Sequence, residues 1–185
     1  MSHLTHVRLE IRDLQALIDV LRDRYGVVEV YATPQVRKVA YNRYAAVHAY
    51  VPETAFSGRW GSGIGVRVGQ DGRIDLLVDS DDRAAVVPAI RRAYALRVAD
   101  ADLTARGFVR AAADETLTDG TVLRVYAPAD GAPAPRVVVT AEPDGTVRIT
   151  VEGMSGMGCL PLTADAYGES ADADSWAWAK ERSDA

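Results

Sequence analysis

Asp-Gly pairs signal three hairpins, at Asp71-Gly72, Asp119-Gly120 and Asp144-Gly145, and so commit much of the chain to antiparallel strand pairs. Aspartate followed by glycine tolerates the positive φ values that tight hairpin turns require. Around the first, Val66 and Val68 lead in, and Ile74, Leu76 and Val78 lead away. The second turns between Thr116 and Tyr126, and the third is flanked by Val137 to Thr140 and Val147 to Val151. Strands joined by such short connections pair antiparallel. The recurrence is one of turn chemistry and not a sequence repeat.

Two helices accompany these strands. His6 to Ile11 alternates apolar Val7, Leu9 and Ile11 with His6, Arg8 and Glu10, the period of a half-buried strand. Asp13 then stands at an N-cap position, ahead of Leu14, Leu17, Ile18 and Leu21 at helical spacing. Arg22 and Arg24 suit the negative end of the helix dipole, and Gly26 suits the left-handed residue that closes it. A second helix is expected over about 82–106, with Val87, Ile90, Tyr94, Val98, Ala101 and Ala105 as its apolar stripe. Pro88 fits a helix interior poorly, so either the main helix begins there or a short turn precedes it. Gly107 ends the element.

Between the helices, Val27 to Tyr31 is expected to be a strand interrupted at Pro34, and Tyr44 to Val51 a strand ended by Pro52. Arg37, Lys38 and Arg43 alternate with Val36, Val39 and Tyr41 as a solvated strand face. The fold class expected is α+β: a largely antiparallel sheet with two helices on one face, its order allowing a ferredoxin-like core, plus a small C-terminal β-hairpin module. The expected division is a main domain over 1–127, a Pro-, Ala- and Gly-rich linker at 128–135, the hairpin module at 136–163, and an acidic tail at 164–185 whose composition favours partial mobility.

A chain of 185 residues with 48% hydrophobic and 25% charged residues can bury a full core. A net charge of −5 argues against general nucleic-acid binding. A single cysteine rules out an internal disulfide and any all-cysteine metal site. No run is long enough to span a bilayer, and the N-terminus lacks the plan of a signal peptide, so a cytoplasmic location without membrane association is the expectation.

The opening Met1-Ser2-His3, the strand into Ile11-Arg12-Asp13-Leu14, and the later Arg92-Ala93-Tyr94-Ala95 and Arg106-Gly107-Phe108 together resemble the plastid and cyanobacterial Ycf-type family, catalogued as domain of unknown function 1257. That likeness covers about residues 1–127, and the GRWGSGIGVRV stretch departs from it. Val151-Glu152-Gly153, Cys159 and Leu162-Thr163, following an Asp-Gly hairpin, resemble a small companion family, domain of unknown function 2997. Together the resemblances imply a fusion of two modules that associate physically. The first also implies proximity to AAA-type ATPases, which makes such an ATPase the partner to consider.

Candidate sites are few. His3 and His6 are the metal-ligand candidates, with His48 and Cys159 as the remaining soft or nitrogen donors. Residues three apart on a strand point to opposite faces, so His3 and His6 share an ion only if His3 precedes the strand. Surface or hydrogen-bonded histidines are the simpler account, and Cys159 has no neighbouring cation that would activate its thiol. Gly58 to Arg67 is rich in glycine but leads into a strand and lacks the Gly-Lys-Ser/Thr of a phosphate loop, leaving Trp60 packed over the sheet as its expected feature. Trp176 and Trp178, two apart in the acidic tail, are interface-anchor candidates beside Trp60. The function expected is a non-catalytic accessory or adaptor protein acting through protein–protein contacts, with homo-oligomerisation compatible and no cofactor required. The alternative is a small metal-binding protein or enzyme built on His3 with His6, His48 or Cys159.

Overall fold

The computed structural model of the chain describes residues 4–9, 12–133 and 135–152. It is an α+β protein that divides into two compact units, Met1–Tyr94 and Ala95–Ala185. Each unit has its own antiparallel sheet.

The first unit contains β1 (Leu4–Leu9), α1 (Leu14–Tyr25), β2 (Glu29–Ala40), β3 (Arg43–Val51), a single-turn helix α2 (Glu53–Phe56), a 3₁₀ turn at Arg59–Gly61, β4 (Ile64–Val68) and β5 (Ile74–Asp79). Helix α1 has the ends its sequence calls for. Asp13 Oδ1 accepts the Ala16 N–H at 3.0 Å, and Gly26, at φ 80°, donates to the Arg22 carbonyl at 2.8 Å. Leu17, Ile18, Val20 and Leu21 are its buried residues.

The strands run β1-β5-β4-β3-β2, every neighbouring pair antiparallel. Strands β2 to β5 therefore form a meander that pairs in sequence order, with β1 added beside β5. A ferredoxin-like core, which the sequence allowed, is not the arrangement here. Short connections bring each new strand back beside its predecessor, and no helix intervenes between β2 and β5 long enough to carry the chain across the sheet.

Pro34 does not end a strand either. Strand β2 runs on to Ala40, and its pairing with β3 lapses between Val30 and Gln35, where the register shifts. β2 is an edge strand, so a residue with no N–H is tolerated at an irregularity. Beyond the bulge β2 also reaches β4 and β5. Val39, Val47, Tyr50 and Leu77 form a buried cluster there, with Tyr31 and Ala45 against it. Gly65 makes this approach feasible, since a Cβ on it would lie 2.7 Å from Val47 Cγ1 and 2.8 Å from Val39 Cγ1.

Helix α3 (Arg83–Ala105) is continuous through Pro88, and the division between units falls within it. The helix starts five residues ahead of the proline, so Pro88 occupies an interior position and has no N–H to give the Ala84 carbonyl. Val87, Ile90 and Tyr94 are buried as their spacing implies, but the stripe does not continue to Val98, Ala101 and Ala105. Leu96, Ala99 and Leu103 are buried instead, because the second unit's core selects a different row of the helix.

That second unit continues with β6 (Phe108–Arg110), β7 (Glu115–Thr116), β8 (Val122–Pro128), β9 (Arg136–Ala141) and β10 (Val147–Glu152). Its sheet runs β10-β9-β8-β6, and β7 also pairs with β8. The residues between β8 and β9 connect neighbouring strands of one sheet, with Val125 opposite Val138 and Tyr126 opposite Val137. Leu96, Ala99, Leu103, Phe108, Tyr126, Val137, Val139 and Ala141 make its core.

The hairpins at Asp71-Gly72, Asp119-Gly120 and Asp144-Gly145 close in the same way. Gly69, Leu117 and Glu142 donate their N–H to the carbonyls of Arg73, Thr121 and Thr146 at 2.7, 2.8 and 2.8 Å. Within each loop Gly72, Gly120 or Gly145, at φ 74°, 85° and 91°, donates back to the first residue's carbonyl. This is a three-residue loop, a type I turn followed by a left-handed glycine. The backbone N–H groups of Thr121 and Thr146 hold the carboxyls of Asp119 and Asp144 below the ordinary aspartate range.

Leu17 is fully buried on α1. Leu17→Ala is expected to destabilise the protein by about 2–5 kcal/mol, the cost of lost transfer plus a cavity. Urea unfolding of the variant against its parent measures it, and a change below about 0.5 kcal/mol would place α1 outside the core.

Candidate functional site

The most distinctive surface of the first unit is built around Trp60. This residue sits in the 3₁₀ turn at φ 63°, ψ 17°, in the left-handed region that bulky side chains rarely occupy. Its backbone is held from two sides. Lys38 Nζ donates to the Trp60 carbonyl at 2.6 Å, and the neighbouring Arg59 N–H donates to Asp82 Oδ2 at 3.1 Å. The indole is fixed as well, since Nε1 donates to Asp81 Oδ2 at 3.3 Å and Tyr41 lies beside the ring, centroids 5.3 Å apart and planes at 59°.

Asp79 supplies the anchor beneath. Fully buried at the end of β5, it accepts the Tyr41 N–H at 3.1 Å through Oδ2 and the Asp81 N–H at 3.1 Å through Oδ1. One carboxylate thereby ties the β2–β3 turn to the turn before α3. Trp60 is nonetheless 55% exposed and Tyr41 50%. Tyr44, opposite Lys38 in the β2–β3 ladder, is exposed too, as is Val36, opposite Ala46. The result is a rigid aromatic surface with Lys38, Arg59 and Asp81 at its margin, the composition that suits an apolar contact with a polar rim.

The expectation that Trp60 packs over the sheet is thus replaced by an exposed indole against Tyr41. Of the glycines around it, Gly63 has its N–H committed within the fold. Gly63 gives its N–H to the Lys38 carbonyl at 3.1 Å, and a Cβ there would lie 2.2 Å from the Val51 carbonyl oxygen.

His6 and His48 lie on different strands of the sheet. His48, on β3, accepts the Val68 N–H at Nδ1, 3.0 Å away, so the ring ties β3 to β4 beyond their backbone pairing. The backbone of His6 lies opposite Leu77, with β5 and β4 between it and β3, about 14 Å across the sheet. His3, Cys159, Trp176 and Trp178 lie outside the described residues. Among the described residues no group of three or more His, Cys, Asp or Glu is placed to hold a metal ion.

A second constellation, with no signature in the sequence pattern, lies in the second unit. Arg124 is 8% exposed, and its guanidinium donates to both oxygens of Asp114 at 2.8 and 2.6 Å, to Asp100 Oδ2 at 3.0 Å and to the Leu96 carbonyl at 3.2 Å. Tyr126 donates to Asp100 Oδ1 at 2.6 Å, and Arg110 also pairs with Asp100. Burial pushes the Asp100 carboxyl up, but hydrogen bonds from Arg110 and Tyr126 and the charge of Arg124 outweigh it and hold it below the ordinary range. Arg124 lowers Asp114 likewise. Burial, then the bond to Asp100, pushes the Tyr126 phenol up to about 12. Two arginines balance two aspartates and each strong donor is matched, so the cluster acts as a structural clasp.

Comparisons of the chain with protein-family models, curated proteins and solved structures found no match. Among the described residues, no helix is long and apolar enough to cross a membrane.

The clasp makes stability depend on pH at both ends. The Tyr126 phenol has a folded pKa above its ordinary value near 10, so its contribution is full below about pH 10 and is lost as pH rises through about 12. Asp114 is depressed, so its contribution is present above the ordinary carboxylate pKa and is lost as pH falls through the lowered value. Chemical unfolding at stepped pH checks this. The stability gap between the parent and Tyr126→Phe is expected to stay constant below about pH 10 and to narrow above it, and the gap for Asp114→Asn to narrow in acid.

Proposed function

We propose that this chain is a non-catalytic accessory protein that works through contact with another protein, and that Trp60 with Tyr41 is its anchor. What supports the reading is the backbone of Trp60. A left-handed conformation at a bulky residue costs on the order of 1–3 kcal/mol and persists only where the surroundings impose it. Here Lys38, Asp81 and Asp82 impose it, and the outcome is an indole held toward solvent. A core tryptophan would need no such arrangement.

A large aromatic with its rotamer already fixed loses little entropy when a partner covers it, the property that concentrates binding energy in interface tryptophans. Lys38 and Arg59 add polar donors at the margin. The family resemblance makes an AAA-type ATPase the first partner to try.

Trp60→Gly separates this role from a structural one. Glycine takes φ 63° without strain, which offsets the loss of the Tyr41 contact, so stability is expected to change by less than about 1 kcal/mol. Partner binding is expected to weaken roughly thirtyfold or more, as for a buried interface tryptophan worth about 2 kcal/mol. Thermal unfolding and titration against a partner captured by the full-length chain give the two readouts. Stability lost by more than about 2 kcal/mol with binding unchanged would make Trp60 a structural residue.

A further inference from the structure

Among the described residues, β10, with the sequence Val147-Arg148-Ile149-Thr150-Val151-Glu152, is an edge strand of the second unit's sheet. Among the described residues it pairs with β9 alone. Val147, Ile149 and Val151 are half-buried against the core, while Arg148, Thr150 and Glu152 are exposed.

The Asp144-Gly145 turn decides which backbone groups the edge presents. Glu142 donates to the Thr146 carbonyl, so Glu142 and Thr146 are a hydrogen-bonded pair. Such pairs alternate along an antiparallel ladder. Thr140 with Arg148, Val138 with Thr150 and Arg136 with Glu152 are then the bonded pairs of this register. The N–H and C=O groups of Val147, Ile149 and Val151 point the other way, to the open edge.

We propose that this edge pairs with β10 of a second copy of the chain, antiparallel and centred on Thr150, joining two sheets through an isologous interface. Self-complementarity of the strand carries the assignment. About that centre Ile149 opposes Val151 of the partner subunit, outward amides facing outward amides on the core-facing side. On the exposed side Arg148 opposes Glu152 of the partner subunit, Thr150 opposes its own equivalent, and Glu152 opposes Arg148 of the partner subunit. β-Branched pairs, threonine pairs and opposite charges are the cross-strand combinations that stabilise a sheet.

Other registers lack this match. Sliding by one residue sets outward amides against inward ones. Sliding by two leaves each charged residue that is still paired opposite threonine, and sliding by four sets Arg148 against Arg148 or Glu152 against Glu152 of the partner subunit, which is repulsive. Among the described residues, Arg148 pairs with Glu142 Oε1 of its own turn at 3.3 Å, and with its side chain 71% exposed it has the length to reach across.

Charge exchange on the full-length chain tests the register. Sedimentation across a concentration series is expected to show a dimer for the parent. Arg148→Glu and Glu152→Arg should each raise the dimer dissociation constant about tenfold or more, two attractive pairs becoming two repulsive ones. The double variant R148E/E152R should restore the dimer, and an equimolar mixture of the two single variants should form a heterodimer. Both positions are exposed, so far-UV spectra should match throughout. A parent that stays monomeric, a dimer indifferent to both reversals, or a double variant that stays dissociated would each overturn the assignment.

Discussion

The hydrogen bond from the first to the fifth residue of the Asp71-Gly72, Asp119-Gly120 and Asp144-Gly145 loops sets the register of a hairpin in each sheet. Once Gly69 is bonded to Arg73, or Glu142 to Thr146, the residues of the two flanking strands have no freedom in register. The glycine supplies a conformation that another residue would adopt only with strain, and the aspartate carboxylate accepts the N–H two positions on. Register then fixes side-chain direction, because a slip of one residue would turn every apolar side chain outward. The same bond reaches further at the third hairpin. It determines that Val147, Ile149 and Val151 expose their amides, and so which pairing a second strand could adopt.

In the first unit the organising group is a buried charge. Asp79 is sealed at the end of β5 and binds backbone N–H groups from two different turns. An unpaired carboxylate there would cost several kcal/mol, so the two turns are held where they satisfy it. Tyr41 rides on one of them and Asp81 on the other, which brings both to the indole of Trp60. The exposed aromatic surface is therefore a consequence of a satisfied buried carboxylate, and the strain at Trp60 is maintained by the same frame.

Features governed by near neighbours were legible in the sequence. Asp13 and Gly26 cap a helix whose stripe lies between them, and the three Asp-Gly turns with their flanking strands are where the pattern sets them. The turn at Asp130-Gly131 carried the same signal, with Gly131 at φ 78° and Ala132 donating to Asp130 at 3.0 Å, inside a stretch whose Pro and Ala content resembles a linker. The features that eluded the sequence depend on distant partners. Trp60 is positioned by Lys38 and Asp81, 22 and 21 residues away, and Tyr126 by Asp100, 26 residues away. The row of α3 that is buried changes after Tyr94 because each half answers to a different core, which a search for one stripe cannot register. Pro34 fits a strand only because β2 lies at an edge, a fact of topology.

Edges differ in how they are managed, and the difference bears on β10. An exposed strand edge is a template for further pairing, and proteins blunt it with proline, bulges, charges or shortness. Strand β2 has Pro34, two register shifts, and Arg37 and Lys38. In the second unit β6 has three residues and β7 two, too short to template much. β10 has six residues, no proline, no bulge, and β-branched side chains at four positions. Its two charges are placed so that they would repel a copy in some registers and attract it in one. On an edge meant to stay bare, a charge of one sign would suffice. A strand carrying Arg148 and Glu152 symmetrically about Thr150 is complementary to itself in one register, which is the feature the proposed pairing rests on.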